Sequence, residues 1–189
     1  NYYKRDLGAK SNVVTIDIGG GTTDVFVVEE NKPSLLSSFR FAANSVFGDG
    51  YNFPITDNGF VNAFKNEIAG CLDANGLNDL KGALNSIESS ADSSNDIIAF
   101  YFSLASNKSL RNKNRIDFLQ MLDKDDKLRY PFIVFYGAII YYVASMMKAK
   151  RLNLPQTIAF SGNGSKTLKV LSTDKKTLAQ FAQIIFEKV

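Results

Sequence analysis

Residues 13–30 read VVTIDIGGGTTDVFVVEE, and no other stretch limits the fold as much. Two short runs rich in β-branched residues flank a polar turn that holds three consecutive glycines, Gly19, Gly20 and Gly21. Runs of this length and type, joined by a glycine tip, predict a strand–turn–strand hairpin. Glycines without a Cβ let backbone amides come close to an anion. Thr22 and Thr23 add hydroxyl donors, and Asp17 and Asp24 bracket the turn. A magnesium ion takes only one or two carboxylates and keeps most of its waters, so Asp17 suits a metal held through water. A glycine triplet between strands is also often no more than a flexible turn.

Composition narrows the chemistry. The chain has 189 residues, 45% hydrophobic and 22% charged, which suits a globular chain able to bury a sizeable core. Its net charge of +3 is too small to argue for nucleic acid. With 0 histidines, Ser-His-Asp hydrolysis and histidine-ligated zinc are excluded. Cys71 has no second cysteine to pair with, which fits a reducing, cytoplasmic setting. The first residue is Asn1, and the chain is expected to be a piece of a longer protein.

Downstream of residues 1–12, where Gly8 is placed near a helix C-cap, the hairpin is followed by a turn at 29–33. A third strand is predicted over 34–44, with Leu35, Ser37, Phe39 and Phe41 on its buried side. Gly48-Asp49-Gly50 reads as a turn. Residues 59–72 carry Phe60, Val61, Phe64, Ile68 and Leu72 at helical spacing, with Asp57 or Asn58 as cap. The serine-rich stretch 86–95 reads as a loop, and 96–105 as a helix or a strand. The basic run with Lys108 and Arg111 reads first as a solvated face.

Residues 132–147 carry no charge. The run reads as a buried helix that is too short for a membrane span, with Pro131 in its first turn and Gly137 packed on a neighbour. Residues 156–161 form a short apolar strand, and Gly162-Asn163-Gly164-Ser165 turns into a helix starting near Lys166. That helix start would point unpaired amides at whatever lies beyond the strand. Asp174 caps a last amphipathic helix over 175–188.

Two of these motifs carry a resemblance. The octapeptide DIGGGTTD at 17–24 resembles the second phosphate motif of the actin-like ATPase superfamily, and TIAFSGNGSKTLKVL at 157–171 resembles its adenosine motif. Their order and separation match that superfamily, whose members include actin, heat-shock chaperone ATPase domains, bacterial actins and several sugar kinases. The resemblance implies an α/β, ribonuclease-H-like fold. It would have a mixed sheet with an antiparallel three-strand meander, flanking helices and a small, mainly helical insertion. The nucleotide-binding subdomain would span 1–72 and 130–189, and the insertion 73–129.

The resemblance further implies ATP and Mg2+ as ligands. Asp17 would be the catalytic, metal-holding carboxylate, acting through water. Gly19, Gly20, Gly21, Thr22 and Thr23 would hold phosphates. Gly48 would approach the ribose, and Gly162, Asn163, Gly164, Ser165 and Lys166 the adenosine. Lys108 and Arg111 match a helix that reaches the adenosine in the chaperones. The first half of such a domain, with its own phosphate loop and water-orienting residue, is not found in the sequence. The expected function is therefore half of a nucleotide-dependent conformational switch, partnered by the missing half, weak in ATP or ADP binding and barely able to hydrolyse. A filament-forming actin that self-associates and a small-molecule kinase are the alternatives. Neither a nucleic acid partner nor a membrane span is expected.

Overall fold

The computed structural model describes residues 12–47, 58–90, 94–114 and 116–189. The expectations for Gly8, for Gly48-Asp49-Gly50 and for Asp57 lie outside them. The chain is mixed α/β and divides into two compact units, residues 1–43 with 129–189, and residues 44–128.

The first unit is built on four strands, β1 (Val13–Ile18), β2 (Thr23–Glu29), β3 (Lys32–Phe39) and β4 (Thr157–Ser161), in the order β3-β2-β1-β4. β1, β2 and β3 form an antiparallel meander, and β4 runs parallel to β1. Glu30 and Asn31 carry the positive φ angles, 47° and 68°, that a two-residue hairpin turn requires. Pro33 lies in the edge strand, beside the register shift at Val27/Val28, where its missing N–H costs the least. The third strand ends at Phe39, short of the expected 44. Its partner β2 begins at Thr23, so no ladder partner remains beyond Phe39. The Ala43 amide instead donates to the Gly19 carbonyl at 3.2 Å and opens the short helix α1 (Ala43–Phe47).

Alternation along the strands separates two faces. Val14, Ile16, Ile18, Thr23, Val25 and Val27 are fully buried on one face. Thr15, Asp17, Asp24 and Phe26 lie on the other, where Asp17, Asp24 and Phe26 are exposed.

The second unit is helical: α2 (Gly59–Ala74), α3 (Asn78–Ser90), α4 (Ser94–Ser106), α5 (Lys108–Lys113) and α6 (Phe118–Asp123). Asn58 caps α2 by accepting from the Val61 amide at 3.0 Å, and its amide nitrogen donates to the buried Ser94 hydroxyl at 2.8 Å. Phe118 is the hub of this core. The rings of Phe47, Phe64, Tyr101 and Phe102 all stand 5.1–6.1 Å from it. α2 belongs here because Val61, Phe64, Ile68 and Leu72 are its buried stripe, and Phe64 stacks edge-on against Phe118. The loop expected over 86–95 is corrected: α3 runs through Ser90, and α4 starts at Ser94. The Ser89 and Ser90 hydroxyls donate to the carbonyls four residues back, at 2.8 Å each, so they are satisfied inside a helix.

The uncharged run forms α7 (Asp126–Ala149), which starts earlier than expected and leaves Pro131 inside the helix. Asp125 starts it, its carboxylate accepting from the Lys127 amide at 2.9 Å. The Lys127 carbonyl that Pro131 cannot bond lies on an exposed residue, where water can serve it. The helix expected to be buried is buried along one face. Phe132, Phe135, Tyr136, Ile139, Ile140, Val143, Ala144 and Met147 are buried, whereas Val134 is 70% and Tyr141 58% exposed. At 24 residues α7 is long and apolar enough to cross a membrane, so the length argument made for 132–147 does not carry over to it.

After β4 the chain forms a 3-10 turn (Gly164–Thr167), the four-residue α8 (Leu168–Leu171) and α9 (Lys175–Lys188). Asp174 caps α9 through the Lys176 and Thr177 amides. Gly137 of α7 faces the Phe181 ring of α9, with room for a Cβ at 3.7 Å.

Candidate functional site

β1 and β4 are parallel neighbours, so their C-terminal ends emerge side by side. Residues 19–22 follow the first, and residues 162–165 the second. The Gly19 amide donates to the Thr22 carbonyl at 2.9 Å, which closes the hairpin tip. Gly20, Gly21 and Thr22 are exposed, and a Cβ on Gly21 would meet nothing within 4 Å. The tip is thus open on its outer side, as a cradle for an anion must be. Thr23 differs from Thr22. It is fully buried, and its hydroxyl donates to the Phe41 carbonyl at 2.7 Å, pinning the end of the meander.

The second loop is pressed onto the first. Gly162 has φ +82°, and a Cβ there would overlap the Ile18 carbonyl oxygen and Asp17 Oδ1. A Cβ on Gly164 would come within 2.6 Å of Ile18 Cγ2 and 2.9 Å of the Gly19 carbonyl. Both glycines are therefore required by close approach, and at Gly162 also by conformation. Ser161 Oγ donates to Asp17 Oδ2 at 3.0 Å and ties the loops chemically.

Within the second loop, Ser165 Oγ donates to the Gly162 carbonyl at 2.8 Å. The buried Tyr136 hydroxyl donates to the Gly164 carbonyl at 3.1 Å and stands 2.8 Å from Thr167 Oγ1. Burial pushes the Tyr136 phenol above its usual pKa, and the Thr167 hydrogen bond offsets part of that rise. Asn163 and Lys166 are exposed beside this loop. The helix start expected near Lys166 is a 3-10 turn followed by one short helical turn, not a long dipole.

Asp17 stands directly opposite Asp24 in the β1–β2 ladder, and both are exposed on the same sheet face. Like charges in facing positions repel, and a cation between or beside them relieves the repulsion. Among the described residues neither carboxylate makes an ion pair. The donor set is oxygen only, which suits a hard divalent cation that retains its own water. Among the described residues no group of three or more metal-ligating side chains occurs, so a divalent cation here would have two facing carboxylates and its own waters.

The structure brings together Asp17, Gly19, Gly20, Gly21, Thr22, Gly162, Asn163, Gly164 and Ser165, with Thr23 buried beneath them. Gly48 lies outside the described residues. Lys108 and Arg111 are exposed on α5 in the second unit. Sequence reasoning missed Ser161 and Tyr136. Ser161 is the polar residue that closes an apolar strand, a signal that could have been read. Tyr136 is one tyrosine among several in an uncharged run, and nothing in the sequence singles it out. No protein-family model matches the chain, and a search of curated proteins finds no match either.

Proposed function

We propose that this chain is one wall of a magnesium–ATP site in a ribonuclease-H-like, actin-like ATPase fold, acting as half of a nucleotide-dependent conformational switch. One observation carries the reading. The two glycine loops, far apart in sequence, meet in space: Ser161 bonds Asp17, and Gly162 and Gly164 lie flush on Ile18 and Gly19. The strand order β3-β2-β1-β4, antiparallel through the meander and parallel at β4, supports the fold assignment. Ligands of α/β sheets gather at the C-terminal ends of parallel strands, which is where both loops emerge.

In this reading the amides of residues 20–22 and the Thr22 hydroxyl face the β- and γ-phosphates, while the Gly19 amide closes the tip on the Thr22 carbonyl. Asp17 would hold a magnesium ion through water, and the ion when bound would supply charge neutralisation at the phosphates. Residues 162–165, with Lys166 beside them, face the adenosine. Thr23 supports the tip from below. Phosphoryl transfer depends on positioning and electrostatics from several sides. One wall alone is expected to bind weakly and turn over barely. Calorimetric titration of ATP with magnesium into the chain, beside Asp17→Ala and Gly20→Val, tests this. The expected result is weak binding that both variants abolish. Magnesium-dependent turnover by this chain alone would contradict the half-site.

A further inference from the structure

We infer that Ser161 is a positioning residue that holds the Asp17 carboxylate in its metal-ready orientation before any cation arrives. The inference rests on the proposed magnesium–nucleotide site and gives a role to Ser161, which lies within the 157–171 motif but is assigned no contact by the resemblance.

Asp17 and Ser161 are partners in the parallel β1–β4 ladder, so their side chains project from the same sheet face. That face is also where Asp24 stands. Ser161 Oγ donates to Asp17 Oδ2 at 3.0 Å. The other carboxylate oxygen, Oδ1, lies against Gly162, in the space that a Cβ on that residue would need. One oxygen is thus hydrogen-bonded, and the other is packed against backbone. Both restraints come from β4 and the turn that follows it.

Without them the carboxylate would be loosely held. The terminal torsion of aspartate is soft and roughly two-fold, so an exposed carboxylate samples many orientations. Repulsion from Asp24 would turn Asp17 away from the position that a shared cation needs. A hydrogen bond from Ser161 leaves the acceptor negative and removes that freedom. Partners that orient a metal-binding carboxylate in this way typically account for roughly 10–100-fold in metal affinity. Because Asp17 is exposed, the lower end, about tenfold, is expected.

Two substitutions of equal shape test the role. Ser161→Val removes the hydroxyl, and Ser161→Thr keeps it on the same β-branched frame. MgATP, and separately ATP with EDTA, are titrated by calorimetry into the parent chain, both variants and Asp17→Ala. Urea unfolding of each checks that the fold is retained. The expected result is an about tenfold weaker MgATP affinity in Ser161→Val, an unchanged affinity for ATP with EDTA, and recovery in Ser161→Thr. If Ser161→Val binds MgATP like the parent while Asp17→Ala loses it, the positioning role is overturned and the site reading stands. If both Ser161 variants weaken binding equally with and without magnesium, Ser161 is merely structural and the inference is also overturned. If the parent chain shows no magnesium-dependent binding, the inference falls together with the site reading.

Discussion

Glycine positions in the two loops answer to different demands, and substitution separates them. At Gly162 the backbone is left-handed and a Cβ would overlap Ile18 and Asp17. Gly162→Ala is therefore expected to destabilise the chain by roughly 2–4 kcal/mol, read as a lower urea midpoint. At Gly21 a Cβ meets open space. Gly21→Ala should leave stability within about 0.5 kcal/mol of the parent while crowding the tip through which a phosphate approaches. A large stability loss at Gly21 would show that the tip is packed rather than open. The sequence marked all of these glycines alike. Which ones the fold itself requires became visible only when β4 was placed against β1, a long-range pairing that no local pattern encodes.

Local structure was legible where a single chemical signal decided it. Asn58 and Asp174 cap the helices they were expected to cap, because a side-chain oxygen next to a free amide is a purely local event. Buried Asn58 also reaches Ser94, so Asn58→Ala should cost about 2 kcal/mol or more, measured by denaturant unfolding. Competing signals misled where packing decides. Serine content pointed to a loop over residues that complete α3, and the uncharged run hid the fact that α7 buries only one face. Tyr136, on that buried face, braces the loop after β4, and Tyr136→Phe should cost about 1 kcal/mol by loss of its hydrogen bonds. Burial raises the phenol pKa of Tyr136 and Tyr101 above the ordinary 10.0. A raised pKa in the folded state favours folding while the phenol is protonated. That contribution is complete below about pH 10 and declines as the pH rises through the folded-state value. An ultraviolet titration should find these two tyrosines ionising only above the ordinary phenol range.

At the scale of the whole chain, the proposed site is a single ligand wall, formed by two loops separated in sequence at the ends of two parallel strands. The hairpin itself was legible because three glycines between short apolar runs leave few alternatives. The resemblance assigned both loops to one nucleotide site, but local periodicity carries no information about which strand pairs with β1, so their direct contact was not legible. The switch reading also predicts no ATP-dependent pelleting on ultracentrifugation when both lobes of the proposed site are present, where a filament former would sediment. The most direct measurement is amide chemical-shift mapping of the isotope-labelled chain during titration with MgATP. The amides of residues 19–22 and of residues 162–165 are expected to shift together along one saturation curve, with adenosine alone moving only the second set. Shifts confined to other surfaces, or two loops that saturate independently, would contradict the shared wall.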